Sequence, residues 1–201
     1  MADIETGEIA PDIENHPWPP FVPDGARTLI MGTFPPGKHR WSMDFYYPNA
    51  TNDFWRVMGL LFLGNPLALY DARNKTYDLP RIKQLMTEHR IALHDSCAAV
   101  RRLKGNASDK FLEVVRPVDL KALVERMPGL VNIATTGEKA ATVIASITGT
   151  EPPKMGEFVE MPANTLCDHQ PIKIWRMPST SRAYPMKVEA KAEYYKRLLM
   201  D

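Results

Sequence analysis

The chain has 201 residues, 44% apolar and 24% charged, with a formal net charge of +1. That balance suits one globular domain, and it excludes both a largely disordered chain and one drawn to polyanions by bulk charge alone. No stretch reaches the roughly 20 apolar residues of a spanning helix, and the acidic start lacks the basic and apolar blocks of a secretory signal. The expected address is therefore the cytoplasm, with nucleoid association in a bacterium, and the expected state is a monomer.

Charge is unevenly distributed. Residues 1–26 hold six acids and no Lys or Arg, whereas residues 171–201 hold seven bases against three acids. A basic C-terminal face would suit a polyanion, although a solvated helix surface gives the same count.

In chain order, residues 1–15 show no sustained period and read as a flexible acidic tail, leaving 16–201 as a single α/β domain. "HPWPPFVPDG" puts four prolines in ten residues, an extended surface segment. "RTLIMG" is a short apolar run stopping at Gly32, as a buried strand does when it ends at a functional loop. Asn52 or Asp53 can cap a helix in which Phe54, Val57, Met58 and Leu61 recur at helical spacing. A helix near Arg81–His89 runs into the strand "IALHD", and one near Leu120–Arg126 precedes "GLVNIATTG". The next helix carries Ala140, Val143, Ile144 and Ile147. "IKIWRM" is the last strand, and the final helix turns Val188, Ala192, Tyr195 and Leu199 inward. Strands alternating with helices predict a three-layer α/β/α fold with a central, mostly parallel four-stranded sheet.

Ligands of such sheets gather beyond the carboxyl ends of the strands. Here those ends are Gly32–Gly37, His94–Cys97, Thr135–Gly137 and Met177–Ser181, which should share one rim. Several motifs are missing: no GxGxxG follows a strand, and there is neither a GxxxxGK[ST] loop nor a G-x-S-x-G elbow. A serine hydrolase built on Ser179 or Ser181 lacks a partnering histidine at any recognisable spacing. Cys97 and Cys167 form no CxxC pair and read as free thiols, and "CDHQ" at 167–170 lacks the second pair a metal needs. No metal or cofactor is expected. The Pro-rich turn, Phe34, Tyr46 and Tyr47, Asn52 and the Pro-Ser-Thr-Ser turn together suit a flat heteroaromatic ligand. Each also has a plain structural reading: Phe34 as core, the tyrosines as packing, Asn52 as a cap.

"LIMGTFPPGKHRWSMDFYYPNATNDFWRVMG" resembles the first block of the uracil-DNA glycosylase superfamily, most closely its hypoxanthine- and mismatch-type branches. "MPSTSRAYPMK" is similar to the second block, and "IALHDSCAAVRRLKGNASD" and "LVNIATTGEKAA" to the units between them, so that the likeness spans about 15–200. It implies a monofunctional glycosylase that hydrolyses the N-glycosidic bond of a flipped-out deaminated base, uracil or hypoxanthine, without a cofactor. Its partner would be DNA, as a damaged or mismatched duplex or a single strand. Carried over by residue, Asn52 would position the water, Phe34 would stack on the base, and the backbone near Thr33 would meet a base carbonyl. Asp95 would read the base edge and Tyr47 would complete the pocket. Ser179, Thr180 and Ser181 would hold phosphates, and Arg182 and Tyr184 would stand at the wedge.

Three departures set this chain apart from that pattern. The first motif holds Thr-Phe-Pro where many members carry an Asp or Asn, Met177 stands where a His or Asn precedes the Pro-Ser turn, and Ser-Arg-Ala-Tyr replaces Ser-Pro-Ala-Asn. They keep open the alternative of a weakly active or inactive damaged-DNA-binding module of the same fold.

Overall fold

The computed structural model describes residues 12–103, 111–166 and 170–200. In chain order the elements are β1 (Ile13–Asn15), β2 (Thr28–Gly32), α1 (Phe54–Leu63), β3 (Tyr70–Asp71), β4 (Thr76–Tyr77), α2 (Leu79–Glu88), β5 (Ile91–Asp95), β6 (Cys97–Arg102) and β7 (Leu112–Pro117). They continue with α3 (Leu120–Glu125), β8 (Asn132–Thr136), α4 (Glu138–Thr148), β9 (Phe158–Met161), β10 (Ile172–Met177) and α5 (Val188–Leu199).

The main sheet has five strands in the order β5-β2-β8-β10-β9. The first four are parallel, and β9 joins the edge antiparallel, with Ile172 opposite Met161. The sheet thus gains one strand over the four expected. β9 has only Met161 buried in its four residues and so carries little apolar signal. Both faces of the parallel strands are covered, which is why β2 and β5 read as continuous apolar runs. Ile30, Leu93 and Ala134 pack on one side with α1, α2 and α5, around Phe54, Trp55, Met86 and Tyr195. Leu29, Met31, Ala92 and Ile133 pack on the other side with α3 and α4.

A second sheet, unforeseen from the sequence, runs β1-β6-β7. β1 pairs antiparallel with β6, Ile13 opposite Arg101 and Asn15 opposite Ala99. Residues 13–15, read above as tail, are therefore a strand. Its pattern of one half-buried residue between two exposed ones shows why composition did not reveal it. Arg102 holds the strand from its partner side, with Nε donating to Glu14 Oε1 at 2.7 Å. Among the described residues, no helix is long and apolar enough to cross a membrane.

Candidate functional site

The four strand-end loops do share a rim. Ser96 N–H donates to the Gly32 carbonyl at 2.8 Å and Cys97 N–H to that of Thr33 at 3.2 Å, which joins the end of β5 to the end of β2. Gly137 N–H donates to the Met177 carbonyl at 3.0 Å, joining the end of β8 to that of β10. Gly137 has φ 101° and lies against Ser179, whose Cβ would be 3.3 Å from any added side chain. Position 137 therefore needs glycine both for its backbone and for the approach of the Pro-Ser turn.

At the centre of the rim stands Gly32. A Cβ there would meet Asp95 Oδ1 at 2.6 Å and Tyr47 Oη at 3.4 Å. Two polar groups thus converge over a bare backbone. Asp95, at the end of β5 and directly opposite Gly32 in the register, is 6% exposed. Tyr47 has φ 51°, an uncommon conformation for a residue with a side chain. The turn aims its ring at α1, where it stacks on Phe54 with centroids 3.8 Å apart and an interplanar angle of 16°. Its hydroxyl lies 3.2 Å from Thr136 Oγ1, and burial pushes its pKa well above the ordinary tyrosine value. The phenol therefore acts as a neutral hydrogen-bonding group.

Beneath this centre lies a polar-aromatic cluster that sequence reasoning did not assemble. His94 Nδ1 is 2.7 Å from Tyr46 Oη, and that hydroxyl lies 3.0 Å from the Pro19 carbonyl oxygen. Tyr46 Oη has one proton for the Pro19 carbonyl and His94 Nδ1, so the tautomer of the His94 ring decides which of them receives it. Burial first, and the neighbouring His16 second, lower the His94 pKa to about 4, so the ring is neutral. The sequence signal for both histidines was slight: His94 lies inside an apolar strand and His16 in a Pro-rich lead-in.

Asn52, expected to position a water, sits half-buried at the start of α1. Its Oδ1 accepts from Phe54 N–H at 2.9 Å, the local bond of a helix start, and keeps a second lone pair. Asp53 follows it, its N–H donating to the Thr180 carbonyl at 2.8 Å. Its carboxylate takes Lys191 Nζ at 2.8 Å, with the lysine side chain fully buried and that of Asp53 7% exposed. Lys191 also donates to the Ser181 carbonyl at 3.0 Å. This buried pair ties α5, the start of α1 and the Pro-Ser turn into one unit, so the two sequence blocks are physically locked together.

The other expected residues divide. Thr33 is 5% exposed and offers its backbone to the rim. Phe34 is half-buried against the cluster of Cys97, Val100 and Val143, with the Arg102 guanidinium 5.7 Å over its ring and His16 edge-on at 5.5 Å. Packing thus accounts for much of its surface. Ser179 Oγ accepts from Ser181 N–H at 3.2 Å and Ser181 Oγ from Ala183 N–H at 3.3 Å, so both hydroxyls shape the turn. Thr180 is 2% exposed, and its carbonyl accepts from Asp53 N–H. Arg182 is half exposed, its NH2 3.7 Å from Asp53 Oδ1. Tyr184 donates to Met155 Sδ at 3.1 Å and lines a groove of about 390 Å³ with Gly137, Thr142, Met177 and Ser179. A larger cleft, about 510 Å³ between Arg27, Lys173 and Arg197, lies at the opposite, amino ends of the strands. Cys97 is fully buried. Cys167 and most of the segment weighed above as a metal site, residues 167–169, lie outside the described residues.

No protein-family model matches the sequence, and no curated protein does. Among solved structures, the chain is similar to the solution NMR structure of a "putative Uracil DNA glycosylase" from Methanosarcina acetivorans. The likeness has a TM-score of 0.61 and 22% identity over 94% of this chain and 100% of the other. The protein therefore has a uracil-DNA glycosylase-like α/β/α fold.

Proposed function

We propose that the protein is a monofunctional DNA glycosylase that hydrolyses the N-glycosidic bond of a flipped-out deaminated base, uracil or hypoxanthine. The observation that carries this reading is the pair of polar groups, Asp95 Oδ1 and Tyr47 Oη, converging over a glycine that admits no side chain. They stand at the carboxyl ends of strands in a uracil-DNA glycosylase-like fold. A flat base could slide over Gly32 and meet them with its edge.

In this reading the bond between C1′ and the base nitrogen breaks with its electron pair leaving on the base, water oxygen bonds to C1′, and the proton that the water loses is balanced by the one that the base anion takes up. The transition state carries positive charge on the sugar. Asn52 holds the water through the second lone pair of Oδ1, and the Thr33 backbone faces the base. Ser179, Ser181 and Arg182 meet the phosphates, with Tyr184 at the wedge. DNA, duplex or single-stranded, is the partner, the protein acts as a monomer, and the strand at residues 13–15 belongs with 16–201 to the single catalytic domain.

Duplex oligonucleotides bearing one uracil, one hypoxanthine or one mismatched uracil, treated with the protein and then alkali, test the proposal. Strand scission at one of these lesions is expected; none with any of them at high enzyme would sink it. A second reading, a damaged-DNA-binding module without chemistry, is favoured by the Asn52 oxygen already serving the helix start. Tight abasic-duplex binding without turnover would select it.

A further inference from the structure

His16 enters the rim from β1 and has no role in the reading above. Its N–H donates to the Ala98 carbonyl at 2.9 Å, so the chain leaves the small sheet aimed at the end of β5. There Nε2 lies 2.9 Å from Asp95 Oδ2, with 5% of the histidine side chain and 8% of the aspartate exposed. On the other side of the ring, Nδ1 lies 2.9 Å from the Trp18 carbonyl oxygen and 3.3 Å from Trp18 N. His94, Phe34 and Tyr46 wall the ring at centroid distances of 4.8, 5.5 and 5.8 Å. With both nitrogens engaged and its faces packed, the imidazole cannot turn, and it pins Asp95 by one oxygen.

The bond has a consequence for the other oxygen. If Nδ1–H donates to the Trp18 carbonyl, one further proton lies between Nε2 and Oδ2, on one atom or the other. If Nδ1 instead accepts from Trp18 N–H, Nε2 carries the proton and donates it to Oδ2. With the carboxyl ionised and Nε2–H donating to Oδ2, Oδ1 carries no proton and can only accept. Among the described residues no donor bonds Oδ1, which stands 2.6 Å from where a Cβ on Gly32 would lie, at the centre of the rim.

Resting on the glycosylase reading, we propose that His16 is a positioning residue. It fixes Asp95 as an acceptor-only reader, so the site takes bases with a ring N–H at that edge and rejects those with a ring-nitrogen lone pair there. Uracil and hypoxanthine belong to the first class; cytosine and adenine belong to the second and would set lone pair against lone pair. Without His16 the carboxyl group is free to turn or to carry a proton at Oδ1, and a protonated carboxyl donates as well as accepts.

The test measures binding to mismatched duplexes in which the probe nucleotide is 2′-fluoro-substituted uridine or cytidine, because fluorine disfavours the charged sugar and keeps the base attached. Wild-type protein should bind the uracil duplex about tenfold or more tightly than the cytosine duplex, the scale of one well-made base-edge contact. His16→Ala should bring the ratio to within about twofold, and His16→Gln, whose amide N–H can still donate to Oδ2, should restore most of it. Affinity for an abasic duplex should stay within about threefold in both variants. Asp95→Asn should abolish the ratio by itself, and adding His16→Ala to it should change nothing further. A ratio that survives His16→Ala, or abasic affinity that falls in parallel with it, overturns the proposal, as does a wild-type ratio near one. If the unfluorinated uracil strand is never cleaved, the glycosylase reading fails, while the binding ratio still decides the role of His16.

Discussion

Replacing Gly32 by alanine would put a methyl carbon 2.6 Å from Asp95 Oδ1. The carboxylate is held from behind by His16, so the clash has no cheap outlet. Overpacking of this kind costs about 1–3 kcal/mol of stability. Gly32→Ala should therefore lower the denaturation midpoint and reduce base excision by about 100-fold or more, both read on the same preparation. Asn52 needs a finer instrument, because its oxygen caps a helix start as well as facing the proposed water. Asn52→Ala should cost about 1 kcal/mol in urea unfolding through the lost cap bond and should also abolish excision. Asn52→Ser, which can still bond Phe54 N–H, should recover the stability and leave excision low. Recovery of both would confine Asn52 to capping. His94 adds a pH dependence of known sign. Its pKa is about 4 when folded and near 6.5 when unfolded, so between those values the unfolded chain binds a proton that the native protein refuses. Stability should fall, by on the order of 2–3 kcal/mol at most, as pH drops from about 6.5 toward 4, and this contribution is flat above that window. Urea titrations of wild type and His94→Gln at pH 7 and pH 5 would show it as a smaller acid loss in the variant.

At the scale of elements, the two blocks that carried the resemblance are joined by the fully buried Lys191 of α5, a contact no local pattern announces. Its helical spacing marks it as an inward position, yet a lysine there reads as a surface residue until Asp53 and the Ser181 carbonyl are seen beside it. Lys191→Met would strand the Asp53 carboxylate in the interior and should destabilise by about 3–5 kcal/mol in chemical denaturation. Adding Asp53→Asn should return part of that loss; strict additivity of the two changes would contradict a coupled pair. The elements themselves were legible in proportion to their burial. β5 and β10 are the very runs "IALHD" and "IKIWRM": β5 is buried at all five residues, and in β10 Lys173 alone is exposed. β7 has one buried residue, Leu112, among six and leaves no comparable trace.

For the whole molecule, a net charge of +1 says little about DNA. Exposed cations nevertheless follow two of the rim loops in sequence, Lys38 and Arg40 after Gly37 and Arg182 and Lys187 after Ser181. Arg182→Ala should reduce the slope of log affinity against log salt by about 1 without altering preference among bases; a changed base preference with an unchanged slope would place Arg182 at the base instead. The parallel layers and their rim were readable because period and glycine stops are local properties. The histidine-aspartate cluster was not, because His16 and Asp95 stand 79 residues apart and meet only through the pairing of β1 with β6.

That pairing bears on how the protein is handled at the bench. A fragment started at residue 16, where composition invites a cut, would delete β1 and leave His16 at a new, charged amino terminus without the strand that aims it. Such a fragment should keep the melting behaviour of the main sheet and lose its selectivity among bases. An affinity handle is therefore safer after residue 200 than spliced close to Ile13.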